Sequence, residues 1–482
     1  MKISFYILFI LTLFFSCSKG EDSEEIIEEP NIEEPNNYTK NISLNLSETF
    51  QTVDGFGAGI KRQTNNLYRY TDAATRNKVL DYCFKELEVN MIRFFVYSGL
   101  ETTNDNNDPF VLASNNFDWT DYDSKHEVGQ SLQDARDLSI NGMDEFVGNA
   151  NSAPSYLKTN GSFRDGGTLI PGGEDEYSEF FVGFIKGMKS RYQIDVTAIS
   201  PTNEPDWVVK YESMNSSPTE IAGIVKNLKT RLNSEGMSDI KIVSPEAFRI
   251  NSNNINTSAI NITNRMFAVS GTKDAVDIVA THTYGNGNHD ADWAGLKTAA
   301  SNKPVWVTES AKLHSVDQSM TDAAHYIKWI LNGFNKGGLT AYMSHFFYEK
   351  LDDDNGFSGL IGWKNGQIII PKRYYTYKHF ANLVKKGYKL IKTESTLSNV
   401  TIGSFKSPDG SKVILQVFNE GTTKDIFLEN PIGTTHISHY ITSNNIDENF
   451  SLQDDNLNTE VGQVIKINAS STSFHSIVYD IN

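Results

Sequence analysis

The sequence predicts an α/β chain: a (β/α)8 TIM barrel that carries a small antiparallel β-sandwich as a side domain. Three observations lead there. Between residues 52 and 347, eight short β-like runs alternate with longer amphipathic stretches, and eight strands close a parallel barrel. After about Tyr388 the texture changes to apolar/polar alternation broken by turn signals such as "SPDG" at 407–410, the pattern of antiparallel strands. The segment "NISLNLSETF" (41–50) alternates in the same way, so the chain is expected to enter through the side domain and make it discontinuous.

In chain order, the first element is a targeting segment, residues 1–17. "MKISFYILFILTLFFSC" has one lysine, an apolar run too short to span a bilayer comfortably, and Ser16 before Cys17. It resembles a bacterial lipoprotein signal, in which Cys17 is lipidated and becomes the new N-terminus; an ordinary cleaved secretory signal is the alternative. Residues 18–40 follow, acidic and proline-punctuated, with too little apolar surface to fold. They read as a disordered tether. An acidic run directly behind a lipidated cysteine resembles the export signal of surface lipoproteins, which implies a cell-surface or outer-membrane location, with the periplasm or secretion as alternatives.

The expected barrel occupies 51–387. Its eight runs are "TVDGFGAG" (52–59), "NMIRFFV" (90–96), "EFVGNAN" (145–151), "TAISPTN" (197–203), "KIVSPEA" (241–247), "DIVATHTY" (277–284), "PVWVTES" (304–310) and "LTAYMSHFF" (339–347). Between them lie helical patterns such as "YSEFFVGFIKGMKSRY" and "DAAHYIKWILNGFNKG", the latter closing on glycine as a C-cap does. Residues 388–482 complete the side domain.

Composition removes several classes of function. A formal charge of −17 opposes binding to phosphate backbones, so no nucleic-acid partner is expected. With Cys17 and Cys83 the only cysteines, no disulfide framework is expected. His282, His289 and His314 stand in no metal-ligand spacing, so neither metal nor cofactor is implied, and a monomer is expected. The membrane enters only through the lipid anchor.

Strand ends in such a barrel point into its mouth, and two of them carry glutamate. Asn203 and Glu204 close the fourth run, "TAISPTN", and Glu309 closes the seventh, "PVWVTES". Cleavage of a glycosidic bond needs two carboxyls facing one space: one protonates the leaving oxygen while the other attacks or stabilises the sugar carbon. Either glutamate alone reads equally well as a solvated surface carboxylate. Asn203 could hydrogen-bond a sugar hydroxyl. Trp207, Tyr284 and Trp363 are candidates for stacking on sugar faces, with core packing the alternative for Trp363. Arg93 on strand two should point inward, to hold Glu309 ionised or to form a structural ion pair. His282, and less strongly His345, are further rim candidates.

At these motifs the chain resembles glycoside hydrolase family 30, in the clan of retaining β-glycosidases. The resemblance runs from Gln51 to the C-terminus through "VDGFGAG", "NSAPSYLKTNGSFRDGGTL", "AISPTNEPDW", "VSPEAF", "THTYG", "VWVTES" and "KRYYTYKHFANLVKKGYKLI". It implies that Glu204 is the general acid/base and Glu309 the nucleophile. The motifs are most similar to those of the family's bacterial xylanases, which implies an endo-β-1,4-xylanase acting on xylan or glucuronoxylan; a β-1,6-glucanase, β-1,6-galactanase or glucosidase is the alternative. Glucuronoxylan-specific members carry an arginine after strand eight, where this chain reads "SHFFYEKLDDDNGFSGLIGW" with Lys350 its lone early cation, so strict dependence on glucuronate is not expected. A non-catalytic surface glycan-binding lipoprotein is the reading from another class.

Overall fold

The structure is a computed structural model, and it describes residues 39–482 apart from 61–64, 105–107, 109–116, 286, 288, 352–355, 456 and 458–463. The signal at 1–17 with Cys17, and the tether as far as residue 38, lie outside the described residues. Lys40, assigned to the tether from sequence, already pairs with Glu429 at 2.8 Å, and Asn41 donates its backbone N–H to Phe427.

Strand β1 (Ile42–Thr52) belongs to the side domain, and eight parallel strands then close into a barrel. They are β2 (Gly55–Ile60), β3 (Met91–Val96), β4 (Glu145–Ala150), β5 (Ala198–Ser200), β6 (Lys241–Ala247), β7 (Ile278–Tyr284), β8 (Val305–Ala311) and β9 (Leu339–Ser344). All eight coincide with the runs read from the sequence, the ends moving by a few residues. Nearly every position along them is buried, because the strands pack on helices outside and on one another's side chains inside. Met91, Val147, Ala198, Val243, Ile278, Ala280, Trp306, Ala341 and Met343 form the plug of the barrel's lower half. Three alanines leave room for one indole, whose Nε1–H donates to Asp54 at 2.8 Å. The barrel is therefore solid below its mouth.

The two helices read from sequence run over Glu174–Tyr192 and Met320–Gly337, the latter capped by Gly338 at φ 65°. The last expected run, 339–347, divides: β9 stays in the barrel, while β10 (Phe346–Lys350) leaves it to pair with β11 (Gly359–Lys364), itself paired with β12 (Gln367–Ile369).

The side domain contains β13 (Lys389–Ser395), β14 (Val400–Lys406), β15 (Lys412–Asn419), β16 (Lys424–Leu428), β17 (Thr434–Thr442), β18 (Asn449–Asp454), β19 (Ile465–Ala469) and β20 (Ser473–Ile481). With β1 they form one sheet in the order β18-β17-β20-β15-β14-β13-β1-β16-β19, in place of two separate sheets. Ile426, Leu428, Ile465 and Ile467 at one end share a core with Ile437, Ile477 and Tyr479 near the other. The sheet thus folds over itself, a sandwich with a continuous hydrogen-bonded turn. β1 sits where expected, antiparallel to β13 and parallel to β16 at Ile42.

A buried histidine cluster lies where the helix Lys372–Ala381 meets this sheet. His379 bonds Ser476 and Thr442 at 2.8 and 2.9 Å, and His439 bonds His475 at 2.8 Å. Burial drives His475 down to about 3 and His439 to about 4, helped for His475 by its histidine neighbour. The folded chain consequently binds fewer protons than the unfolded one below the ordinary histidine pKa of ~6.5, so stability is lost as pH falls from there toward 3–4. The expected cost by pH 4 is on the order of 5 kcal/mol. Denaturant midpoints measured across pH 7 to 4 should drop steeply in the wild type and less steeply in His475→Gln; parallel slopes would remove the cluster from the explanation.

Candidate active site

Arg93, Asn203, Glu204, His282, Tyr284, Glu309 and His345 lie on barrel strands or directly after them, and the local backbone decides which way each faces. β3 alternates regularly: Met91 joins the plug, so Arg93 also points inward, one layer nearer the mouth. β7 does the same, with Ala280 in the plug, His282 above it and Tyr284 at the rim.

β6 and β8 break the alternation. Pro245 pairs with Ala280 and Ala247 with Thr281, so Glu246 is an extra residue, bulged at φ 61°. Thr281 pairs with Val307 and His282 with Glu309, so Thr308 is extra in β8. In a regular strand Trp306 and Thr308 would face inward and Glu309 would face the helices; the bulge turns Glu309 into the mouth. Glu204 is placed by a turn after the three-residue β5. Its φ is 46°, its N–H donates to the carbonyl of Glu246 at 2.8 Å, and its own carbonyl accepts from Trp207 at 2.8 Å.

An oxygen of Glu204, an oxygen of Glu309 and a ring nitrogen of His282 all lie within 4.8 Å of one another. Arg93 Nη1 donates to Glu309 Oε1 at 2.5 Å, the Tyr284 hydroxyl donates to Oε2, and His345 Nε2 lies 3.0 Å from Oε2. Arg93 Nη2 donates to Asn203 Oδ1 at 2.7 Å, which engages the carbonyl end of that amide. His282 bridges two carboxylates, Nδ1 to Glu204 Oε1 and Nε2 to Glu246 Oε2, each at 2.9 Å.

Burial alone would neutralise His282, but the surrounding Glu309, Glu204 and Glu246 carboxylates outweigh it and push its pKa up to about 9. The carboxylates thus favour the protonated imidazole. For Glu246, burial is again the largest influence and raises the pKa; Arg93, His282 and Thr308 together still hold it below the ordinary carboxylate range. Burial, then Glu309 and Glu204, raise the Tyr284 phenol well above its usual value, so it stays a donor. Glu204, His282 and Glu309 are also spaced as metal ligands could be, but Glu309 Oε1 is already held by the Arg93 guanidinium, whose positive charge opposes a second cation there.

The aromatic candidates separate. Trp207 is 42% exposed and lies flat on Phe248, with centroids 4.7 Å apart and planes 10° apart. Phe248 touches Tyr284, Tyr284 touches His345, and His345 stacks on Phe346 at 3.8 Å, a line of rings across the mouth past Glu309. Trp363 is not part of it. It is 3% exposed and packs against Tyr348 in the core, where the pairing of β10 with β11 carries it away from the mouth.

Beside the glutamates is a cavity of ≈ 490 Å³ with Arg93, Asn149, Tyr211, Leu313, Phe346 and Glu349 in its wall. Glu349 accepts from the N–H groups of Ser358 and Gly359. Arg373 is inside the protein, paired with Asp322 at 2.8 Å and donating to the carbonyls of Phe357 and Gly359. Glu246, Phe248 and Phe346 were not singled out by sequence. Glu246 had a legible signal, a carboxyl within the apolar run "KIVSPEA", the same signal that marks Glu204 and Glu309.

Residues 53–351 match the family model described as "Glycosyl hydrolase family 59". The curated protein "Putative glucosylceramidase 2" of Caenorhabditis elegans is 24% identical over 407 residues, 77% of this chain and 75% of that one. Among solved structures, the catalytic domain of GH30 xylanase C from Talaromyces cellulolyticus aligns over 91% of this chain and 99% of its own at 21% identity, with a TM-score of 0.72. An endo-β1,6-glucanase aligns over 91% and 94% at 18% identity, with a TM-score of 0.70. At these identities the two structures establish the shared fold. The motifs point to family 30 and its members are structural neighbours, while the matching family model is that of family 59.

Proposed function

The chain belongs to glycosyl hydrolase family 59 and is a glycoside hydrolase, and from that premise we propose that it cleaves β-glycosidic bonds of a polysaccharide with retention, Glu309 attacking and Glu204 exchanging the proton. One observation carries the reading: Glu204 and Glu309 face each other closely enough that an oxygen of one lies within 4.8 Å of an oxygen of the other. Retaining pairs stand about 5–5.5 Å apart, and inverting pairs about 6.5–9.5 Å apart to admit a water between them. In the first step Glu309 Oε forms a bond to the anomeric carbon as the glycosidic bond breaks, and Glu204 gives its proton to the departing oxygen. In the second, water attacks the same carbon, loses its proton to Glu204 and frees Glu309. Arg93 and the Tyr284 hydroxyl keep Glu309 ionised and fixed for attack.

Xylan is the first substrate and a β-1,6-linked glucan or galactan the second. The xylanase-like motifs support the first, and the glucanase neighbour supports the second. A screen of the chain on glucuronoxylan, arabinoxylan, β-1,6-glucan and β-1,6-galactan, reading product size, separates them. Hydrolysis of none of these, with binding retained, would favour a glycan-binding protein.

Glucuronate branches should matter little if the substrate is xylan. Among the described residues lining the cavity the guanidinium is that of Arg93, already engaged by Glu309, Asn203 and Glu246, while Arg373 is sealed in its ion pair and Glu349 adds a carboxylate to the wall. Removing the glucuronate from matched xylo-oligosaccharides should change kcat/KM by less than about tenfold, roughly 1.4 kcal/mol. A loss of about a hundredfold would mean that another cation grips the branch.

A further inference from the structure

Glu246 touches neither of the positions where bonds are made, yet three polar groups converge on its Oε2: Thr308 Oγ1 at 2.5 Å, His282 Nε2 at 2.9 Å and Arg93 Nη2 at 3.3 Å. Its Oε1 is buried with no hydrogen-bond partner among the described residues. The Arg93 guanidinium is a permanent cation and donor on Oε2 and favours the charged form of the carboxyl over the protonated one. Glu246 is therefore a carboxylate, and the proton between it and His282 resides on Nε2. What remains open along the chain of contacts is the other ring nitrogen, Nδ1, 2.9 Å from Glu204 Oε1. As an N–H it donates to Glu204; bare, it would accept the proton that Glu204 must deliver to the leaving group.

We propose that Glu246 is a positioning residue that keeps His282 doubly protonated, so that Nδ1–H is donated to Glu204 Oε1 and the acid proton of Glu204 stays on its other oxygen, available to substrate. The inference rests on the reading of Glu204 as the acid/base. Charge balance supports it. The groups facing His282 are Glu204 after β5, Glu246 on β6, Glu309 and Thr308 on β8 and Tyr284 on its own strand, with Arg93 of β3 bound to both Glu246 and Glu309. Arg93 and His282 as cations balance Glu246 and Glu309 as anions, and the proton that Glu204 carries when it acts as the acid adds no charge to these nearly buried groups. After the proton leaves, the same Nδ1–H stabilises the Glu204 carboxylate until water returns the proton. Loss of the Glu246 charge leaves the cluster one positive charge in excess, and the proton released most readily is that of His282.

The test is Glu246→Gln in the full chain, read in two ways. Histidine ring 15N spectra, with His282 assigned by its loss in His282→Gln, should show two N–H groups on His282 at pH 7.5 in the wild type and one in the variant. Kinetically, the variant should lose about ten- to a hundredfold in kcat/KM on substrates with poor leaving groups and less than about threefold on dinitrophenyl glycosides, which need little proton donation. Its alkaline limb should move acid by about one pH unit or more. Equal losses on both substrate classes with an unmoved limb would make Glu246 merely structural. Should the variant fail to fold, the wild-type spectrum still decides, because a neutral His282 at pH 7.5 overturns the inference. The spectrum needs no turnover, so a chain that hydrolyses no glycoside overturns the functional reading, whereas a neutral His282 in an active enzyme overturns this inference alone.

Discussion

Glu309→Ala should lower turnover on the order of 10⁴-fold or more, and azide should restore part of the rate while giving a product of opposite anomeric form. Both halves follow from the position of one carboxyl. Glu309 is buried, tied by Arg93, Tyr284 and His345, and turned inward by the bulge at Thr308, so no neighbouring carboxylate can take its place at the same distance and angle. Glu204 faces it across the site and Glu246 is held on Arg93, His282 and Thr308. Alanine leaves a space lined by the Arg93 guanidinium, which suits a small anion. That anion attacks from the Glu309 side, with one displacement in place of two, hence the inverted product. Rescue without inversion would assign the nucleophile elsewhere.

Glu204→Gln should have the second largest effect, with a size that depends on the substrate. Glutamine keeps the volume and can still accept from His282 Nδ1–H, so the site geometry survives while the transferable proton does not. Loss of about 10²- to 10⁴-fold is expected where the leaving oxygen needs protonation. On dinitrophenyl glycosides the first step should be nearly intact and the second, which needs a base for water, should limit. A burst of dinitrophenol followed by slow turnover is the signature. The alkaline limb of the pH profile should disappear together with the rate. Uniform loss on both classes, with no burst, would mean that another group supplies the proton.

The barrel was legible because each of its strands is an apolar run bounded by turn residues, and because eight of them occur in order. "KIVSPEA" and "PVWVTES" gave the strands at 241–247 and about 304–310 almost residue for residue. The side domain was legible as alternation, but alternation is the same in one folded-over sheet as in two stacked ones, so the continuous pairing through β14, β13 and β1 could not be read. Glu204, Glu309, Asn203, Arg93, His282 and Tyr284 meet as expected, since strand ends in a barrel share one mouth. Glu246 escaped because Glu204 and Glu309 already filled the two carboxyl roles; its inward turn, like that of Glu309, depends on a bulge that period-two reasoning does not contain. Trp363 failed for the opposite reason: an aromatic residue after strand eight looks the same in sequence on a rim or beneath it, and the departure of β10 from the barrel put it beneath.

The most direct test of the account is mechanism-based trapping. The full chain is incubated with a 2-deoxy-2-fluoro glycoside of the best sugar from the substrate screen, digested, and the peptide that gained the sugar mass is sequenced. The account predicts a single modification, on Glu309, released on adding an acceptor sugar as activity returns. A label on Glu204 or Glu246, or turnover with inverted product and no label at all, would contradict it.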